Sequence, residues 1–334
     1  MVPGYLMGEY SREEVSVNVP ALCRALGVTF VPCTIASLQP EGPGLTCKDG
    51  RSLEADFLAV NLGAVQNHPR EWKPGDRAFV VKPLRQIWAI EEALRELSSN
   101  ARIAVIGGGA AAVELSTTMR AISRMRGADW RVELRTRGSL LRRYPAKWRR
   151  RVAESIRDKG VLVRERQEVA ALVGQRVLDA QGGSQDYDLV LIATGTRPNP
   201  VVSAAPLEHG PRGGMLIRAD LTSTSHPAIL GAGDCTDFSP AGNPEESLLP
   251  PAGVYPVRQG PLLARNLLRI ASGKRPIPYR PQPAILQLLT LGDGRAIGGY
   301  PRVLVKGRWV QGWKDWLDAA FIRRFAKYYD GKPA

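Results

Sequence analysis

Ile103-Ala-Val-Ile-Gly107-Gly108-Gly109-Ala110-Ala111-Ala112-Val113-Glu114 decides how this chain is read. Four apolar residues in a row make a buried strand, three glycines stop it, and an alanine-rich run opens a helix. Gly107, Gly109 and Ala112 fit the spacing Gly-x-Gly-x-x-Ala, in the strand–turn–helix context that a dinucleotide site needs. Gly107 permits the tight turn, Gly109 lets the backbone approach a pyrophosphate, and Ala112 lets the helix pack close to the sheet. The N–H groups and the dipole at the helix start then hold a diphosphate. The alternative, a Gly-rich turn without ligand, is disfavoured by the complete strand–helix–strand setting.

Outward from that turn, residues 102–194 alternate strand and helix. The pattern predicts strands at 103–106, 130–136 and 189–193 and helices at 110–126 and 146–158, hence a parallel sheet covered by helices. A ribose-binding acid is expected at the end of the second strand if the ligand is NADH. The strand ends instead in Leu134-Arg135-Thr136-Arg137. Arg135 and Arg137 suit a 2′-phosphate, which favours NADPH over NADH. Twelve Lys or Arg lie between 135 and 166, opposed by three acids. Arg149 to Arg151 read as a solvated helix face.

At 334 residues with 44% hydrophobic and 23% charged residues, the chain is an ordinary globular protein of about two domains. No apolar run reaches spanning length, and the start lacks the pattern of a signal peptide, so a cytoplasmic location is expected. The net charge of +14 favours anionic partners. No nucleic-acid recognition motif accompanies it, and nucleic acid is not an expected partner. Cys23, Cys33, Cys47 and Cys235 are scattered and the three histidines form no spaced pair, so no metal site is expected. Ser11 and Glu14 are spaced as a capping box for a helix over 12–26, which Pro20 interrupts. Asp49-Gly50 reads as a hairpin turn. Helices are expected near 84–98, 253–271 and 313–328, with a short β segment at 303–311.

A second signal is His226-Pro-Ala-Ile-Leu-Gly-Ala-Gly233-Asp234, a strand ending in small residues and one acid. Such an acid can accept hydrogen bonds from sugar-like hydroxyls or cap a turn, and chemistry alone leaves both open. Together, Gly107-x-Gly109-x-x-Ala112, Ala193-Thr-Gly195-x-Arg-Pro198 and Gly233-Asp234 resemble the pyridine nucleotide–disulfide oxidoreductase superfamily. The fit is closest to its type II NADH dehydrogenase-like branch. It is closer still to the flavoprotein module found beside selenophosphate synthetase in some bacteria, through Pro3-Gly4-Tyr5, the 253–260 stretch, Tyr279-Arg-Pro-Gln282 and the 292–297 stretch. The resemblance covers nearly the whole chain. It implies that Gly107, Gly109 and Ala112 hold the nicotinamide dinucleotide and that Glu114 lies near nicotinamide and flavin. It further implies that Gly195 marks the crossing between domains, that Gly233-Asp234 binds the ribityl chain of FAD, and that Gln259 takes the place of a Gln-Gly in quinone-reducing relatives.

The resemblance implies an α/β fold with two interleaved Rossmann-like domains and a small C-terminal α+β domain. The FAD-type domain would comprise 1–70 and 199–272, the NAD(P) domain 71–198, and the C-terminal domain 273–334. Relatives open with a Gly-x-Gly-x-x-Gly βαβ unit for the FAD diphosphate, and none precedes Gly107 here. The first domain is therefore expected to be incomplete and FAD to be weakly held or lost. The implied activity is hydride transfer from NADPH or NADH to flavin, with electrons passing to a quinone or another small acceptor. The alternative is a non-catalytic nucleotide-binding fragment. In the last helix Trp313, Trp316, Leu317, Ala320, Phe321 and Tyr328 form a stripe. It is expected to pack inward, with peripheral membrane contact as the other outcome.

Overall fold

Five parallel strands organise the middle of the chain, as the alternating pattern requires. The computed structural model describes residues 1–329. The central elements are β1 (Ala78–Val80), α1 (Ile87–Arg95), β2 (Arg102–Ile106), α2 (Ala110–Met125), β3 (Arg131–Thr136), α3 (Ala146–Arg157), β4 (Val161–Glu165) and β5 (Leu189–Ile192). The sheet runs β4-β3-β2-β5-β1, each neighbouring pair parallel. Every residue of β2 and β5 except Arg102 is buried. Both faces are covered, which is why these strands read as unbroken apolar runs. On α2, Ala112, Leu115, Met119 and Ile122 recur at helical spacing and bury into the core below. Three later strands, β6 (Gln287–Thr290), β7 (Ala296–Tyr300) and β8 (Val303–Gly307), form an antiparallel meander that leads into α4 (Arg308–Ala326).

The chain divides into two units. One gathers Met1–Phe30, His68–Gly195 and the described residues from Ala284; the other gathers Val31–Asn67 and Thr196–Pro283. From sequence, residues 1–70 belong to the FAD-type domain and 273–334 stand apart. In this division residues 1–30 and 284–329 group with the five-stranded sheet instead. Their apolar side chains explain it: Leu6, Met7, Leu289, Leu291 and Ile297 share one core with Ile103, Leu134 and Leu191.

The second unit holds an antiparallel meander of Ile35–Gln39, Gly44–Cys47 and Ser52–Glu54. Its second turn is the expected Asp49-Gly50, with Gly50 at φ +88°. Two parallel pairs follow, Leu58–Val60 with Ile229–Gly231 and Met215–Ile217 with Thr236–Phe238, and then a helix, Val254–Ala271. The cysteines are less scattered than their spacing suggests. The meander sets Cys47 opposite Ile35, and Cys33 and Cys47 form a disulfide with Cα atoms 5.9 Å apart.

Two helical expectations change. Ser11 and Glu14 make the reciprocal pair: the Ser11 N–H donates to Glu14 Oε2 at 2.8 Å and the Glu14 N–H to Ser11 Oγ at 3.3 Å. Yet only a turn follows, and the helix is Val19–Ala25, with Pro20 in its first turn and the Asn18 side chain accepting from the Ala21 N–H. Proline fits a first turn and not a helix interior. The second change is in α4, which begins at Arg308 and so replaces the β segment expected through 311. Its aromatic stripe packs inward only in part, with Trp313 and Ala320 half-buried. Trp309 and Trp316 are each 61% exposed, with Leu317, Phe321 and Tyr328 exposed too, whereas Lys314 and Asp318 turn towards the unit. No described helix is long and apolar enough to cross a membrane.

Candidate functional site

Buried strand β2 delivers the chain to Gly107, whose φ of +150° glycine tolerates readily. A Cβ there would lie 2.2 Å from the Ala193 carbonyl oxygen just past β5. Gly108, which the spacing argument passes over, is equally constrained: its Cβ would meet Thr136 Oγ1 at 2.3 Å. Gly109 differs. Nothing lies within 4 Å of where its Cβ would be. It is the N-cap of α2, and no side chain caps that helix. The first N–H groups of α2 are thus left for an external acceptor, beside an open cradle. Ala112 is fully buried, which brings α2 close to the sheet. This turn fits the diphosphate of a nicotinamide dinucleotide.

At the end of β3 the two arginines part company. Arg135 is buried, its Nε donating to Glu133 Oε1 at 2.5 Å and to Tyr187 Oη at 3.1 Å. Burial, and then the Glu133 charge, push the Tyr187 hydroxyl up to about 12. Arg135 is therefore a tie inside the sheet and not a ribose-phosphate ligand. Arg137 is exposed at the strand end, with Glu168 3.6 Å away.

Glu114, one turn into α2, accepts the Thr290 N–H on Oε1 at 3.0 Å. Burial pushes its carboxyl up, and the charge of Lys314 pulls the other way. Lys314 Nζ donates to Asp318 Oδ2 at 2.7 Å. Burial acts against the Lys314 ammonium, but the Glu114 and Asp318 carboxylates outweigh it and hold its pKa above the ordinary value. Tyr144 is pushed up to about 12 by burial and by the Glu114 charge. Lys314 and Asp318 escape sequence reasoning, because only the tertiary fold faces α4 towards α2.

In the second unit, Asp234 sits in the 3-10 turn Gly233–Cys235, just beyond the strand Ile229–Gly231. Gly233 has φ +79° and donates its N–H to Gln259 Oε1 at 2.8 Å. Gln259 is only 1% exposed. It braces the Asp234 turn, a role that its expected match to a Gln-Gly does not reveal. Asp234, Gln259, Tyr255, Thr236 and Arg212 share a small pocket. Arg212, absent from the sequence argument, is held by buried Asp237, Nε to Oδ1 at 2.7 Å. Helix Val254–Ala271 begins at Gly253 without a side-chain cap. A carboxylate and an uncapped helix start fit the sugar-alcohol and ring end of FAD. Among the described residues, this unit has no glycine-rich strand–turn–helix for the FAD diphosphate. Gly195 is exposed and is the last residue of the first unit before the chain passes to the second.

The profile of the family described as pyridine nucleotide-disulphide oxidoreductase matches residues 38–249. The chain is 26% identical to the demethylphylloquinone reductase NdbB of Synechocystis sp. over 261 residues, 75% of this chain and 63% of that one. It is 26% identical to the NADH oxidase of Methanocaldococcus jannaschii over 253 residues, 73% of this chain and 55% of that one. The chain thus spans between 55 and 63% of the length of these two relatives. Among solved structures, the sulfide:quinone oxidoreductase of Aquifex aeolicus superposes with a TM-score of 0.77 over 98% of this chain and 82% of that one, at 16% identity. That likeness concerns the fold. With the family profile covering most of its length and the Gly107 turn in place, the chain belongs to the pyridine nucleotide-disulphide oxidoreductase family.

Proposed function

We propose that this chain is an FAD-dependent NAD(P)H oxidoreductase that delivers electrons to a quinone or another small acceptor. The uncapped start of α2 beside the open side of Gly109 carries this reading. The bound cofactors supply the hydride chemistry, and the protein positions them. The α2 N–H groups hold the nicotinamide dinucleotide by its diphosphate, and Arg137 meets a 2′-phosphate, which favours NADPH. Glu114, kept in place by the Thr290 N–H and balanced by Lys314, orients the reacting end. Asp234, on a turn braced by Gln259, accepts from the flavin side chain. NdbB, by its name a quinone reductase, supports a quinone acceptor. The exposed Trp309 and Trp316 of α4 favour contact with a bilayer surface, where such an acceptor resides.

The test is anaerobic addition of NADPH to purified protein incubated with FAD. Bleaching of the visible flavin band is expected, and Gly109→Val should abolish it by filling the cradle. Nicotinamide binding without bleaching would favour the non-catalytic nucleotide-binding fragment. Absence of both would overturn the reading. The chain as purified is expected to hold FAD weakly, and full flavin occupancy would contradict that.

A further inference from the structure

A cleft of about 360 Å³ opens in the first unit between α3 and the β7–β8 hairpin. No residue of the Gly107 turn lines it. Along one face of α3, at spacings of three and four, Lys147 and Arg151 lie towards the helix start, and Glu154, Ser155 and Asp158 towards its end. From β8, Lys306 reaches over and donates its ammonium to Ser155 Oγ at 2.8 Å. Ile297, Leu304 and Val305 supply an apolar wall. The cleft is therefore cationic along the helix start, has Lys306 bonded to Ser155 at its middle, and is anionic at its far end.

Helix stability does not explain the cationic end. Cations in a first turn oppose the helix dipole. Yet Lys147 and Arg149 stand in the first turn of α3 and Arg150 and Arg151 follow in the second, with no acid in that first turn and no side-chain cap at Pro145. Among the described residues, Lys147, Arg151 and Lys306 form no ion pair. Three cations without an ion-pair partner that line one cleft are arranged for an anion from outside.

We propose that this cleft binds a small phosphorylated polyol, of the size of a single sugar phosphate. Lys147, Arg151 and Lys306 take the phosphate monoester, for which several charged donors are needed. Glu154 and Asp158 accept from the hydroxyls and repel a second anionic group. The carbon skeleton lies on Ile297, Leu304 and Val305. The volume falls at the small end of the range for small-molecule pockets.

Calorimetric titration of the full chain with ribose 5-phosphate, inorganic phosphate and ribose tests this. The ester should bind saturably, inorganic phosphate at least about tenfold more weakly, and ribose not measurably. Arg151→Ala with Lys306→Ala should weaken the ester at least about tenfold. That variant should leave the melting curve and NADPH binding unchanged, which separates this site from the Gly107 turn. Glu154→Gln with Asp158→Asn should erase the advantage of the ester over inorganic phosphate. No heat from ribose 5-phosphate, or equal binding by the Arg151/Lys306 variant, overturns the proposal. So does sedimentation with phosphatidic acid vesicles that depends on those two cations and is insensitive to ribose 5-phosphate, because it would assign the phosphate to a lipid headgroup.

Discussion

Arg135 and Arg137 stand two positions apart in one strand and do different work. In β3 alternate side chains share a face, so sequence makes them equivalent. Burial separates them, because Arg135 meets Glu133 and Tyr187 while Arg137 lies past the last sheet residue. Arg137→Glu should therefore weaken NADPH binding about tenfold or more, roughly 1.4 kcal/mol, and leave NADH nearly unchanged. Arg135→Ala should instead cost about 1–3 kcal/mol of stability by leaving half-buried Glu133 and the Tyr187 hydroxyl without their common donor, with no preference between the two nucleotides. Parallel losses of NADPH and NADH in Arg137→Glu would sink the assignment. Glu114 yields a prediction in pH. Its folded pKa is raised above the ordinary 4.5, so between the two values the folded state binds more protons than the unfolded one. Stability contributed by this group then falls as pH rises from about 4.5 through the folded pKa. The Lys314 and Met1 ammonium charges and the Thr290 N–H temper the rise, and the Asp318 carboxylate adds to it. Glu114→Gln keeps an acceptor for the Thr290 N–H and removes the titration. Melting temperatures measured from pH 4 to pH 8 should decline less in the variant, and an unchanged slope would contradict the raised value.

Among the elements, α4 departs furthest from its sequence pattern. A helix on a globular core usually buries its apolar stripe. Here Trp309, Trp316, Leu317, Phe321 and Tyr328 face solvent while Lys314 lies towards Glu114, so α4 contributes Lys314 inward and aromatic surface outward. Trp316→Ala should then change stability by no more than about 0.5 kcal/mol, as exposed substitutions do. Trp130→Ala, at 1% exposure in the core, should cost about 3–5 kcal/mol. If the outward face meets a bilayer, Trp316→Ala should also reduce sedimentation with anionic vesicles. A core-sized loss of stability in that variant would show that the stripe is packed after all.

At the scale of the whole molecule, each unit has its own means of cohesion. The first has a continuous core that joins residues near 6, 103, 191 and 297. The second has short strand pairs and a disulfide closing a 14-residue separation. A loop of that size restricts the unfolded chain by about 3 kcal/mol. Cys33→Ser with Cys47→Ser, or reduction, should lower the melting transition of the second unit accordingly and spare that of the first. Calorimetry with and without reductant measures this, and identical scans would show that the linkage does not contribute.

The parallel sheet, the Gly107 turn, the Asp49-Gly50 hairpin and the Gly233-Asp234 turn were all legible in the sequence. Each rests on local chemistry: apolar run length, glycine conformational freedom, and the contrast between a buried strand and the polar turn that ends it. Tertiary structure alone decided the rest. Which arginine is buried, which side of α4 turns inward, which cysteines pair and where residues 1–30 and 284–329 group all depend on partners distant in sequence. Burial and pairing energies are set by those neighbours, and a one-dimensional pattern does not name them.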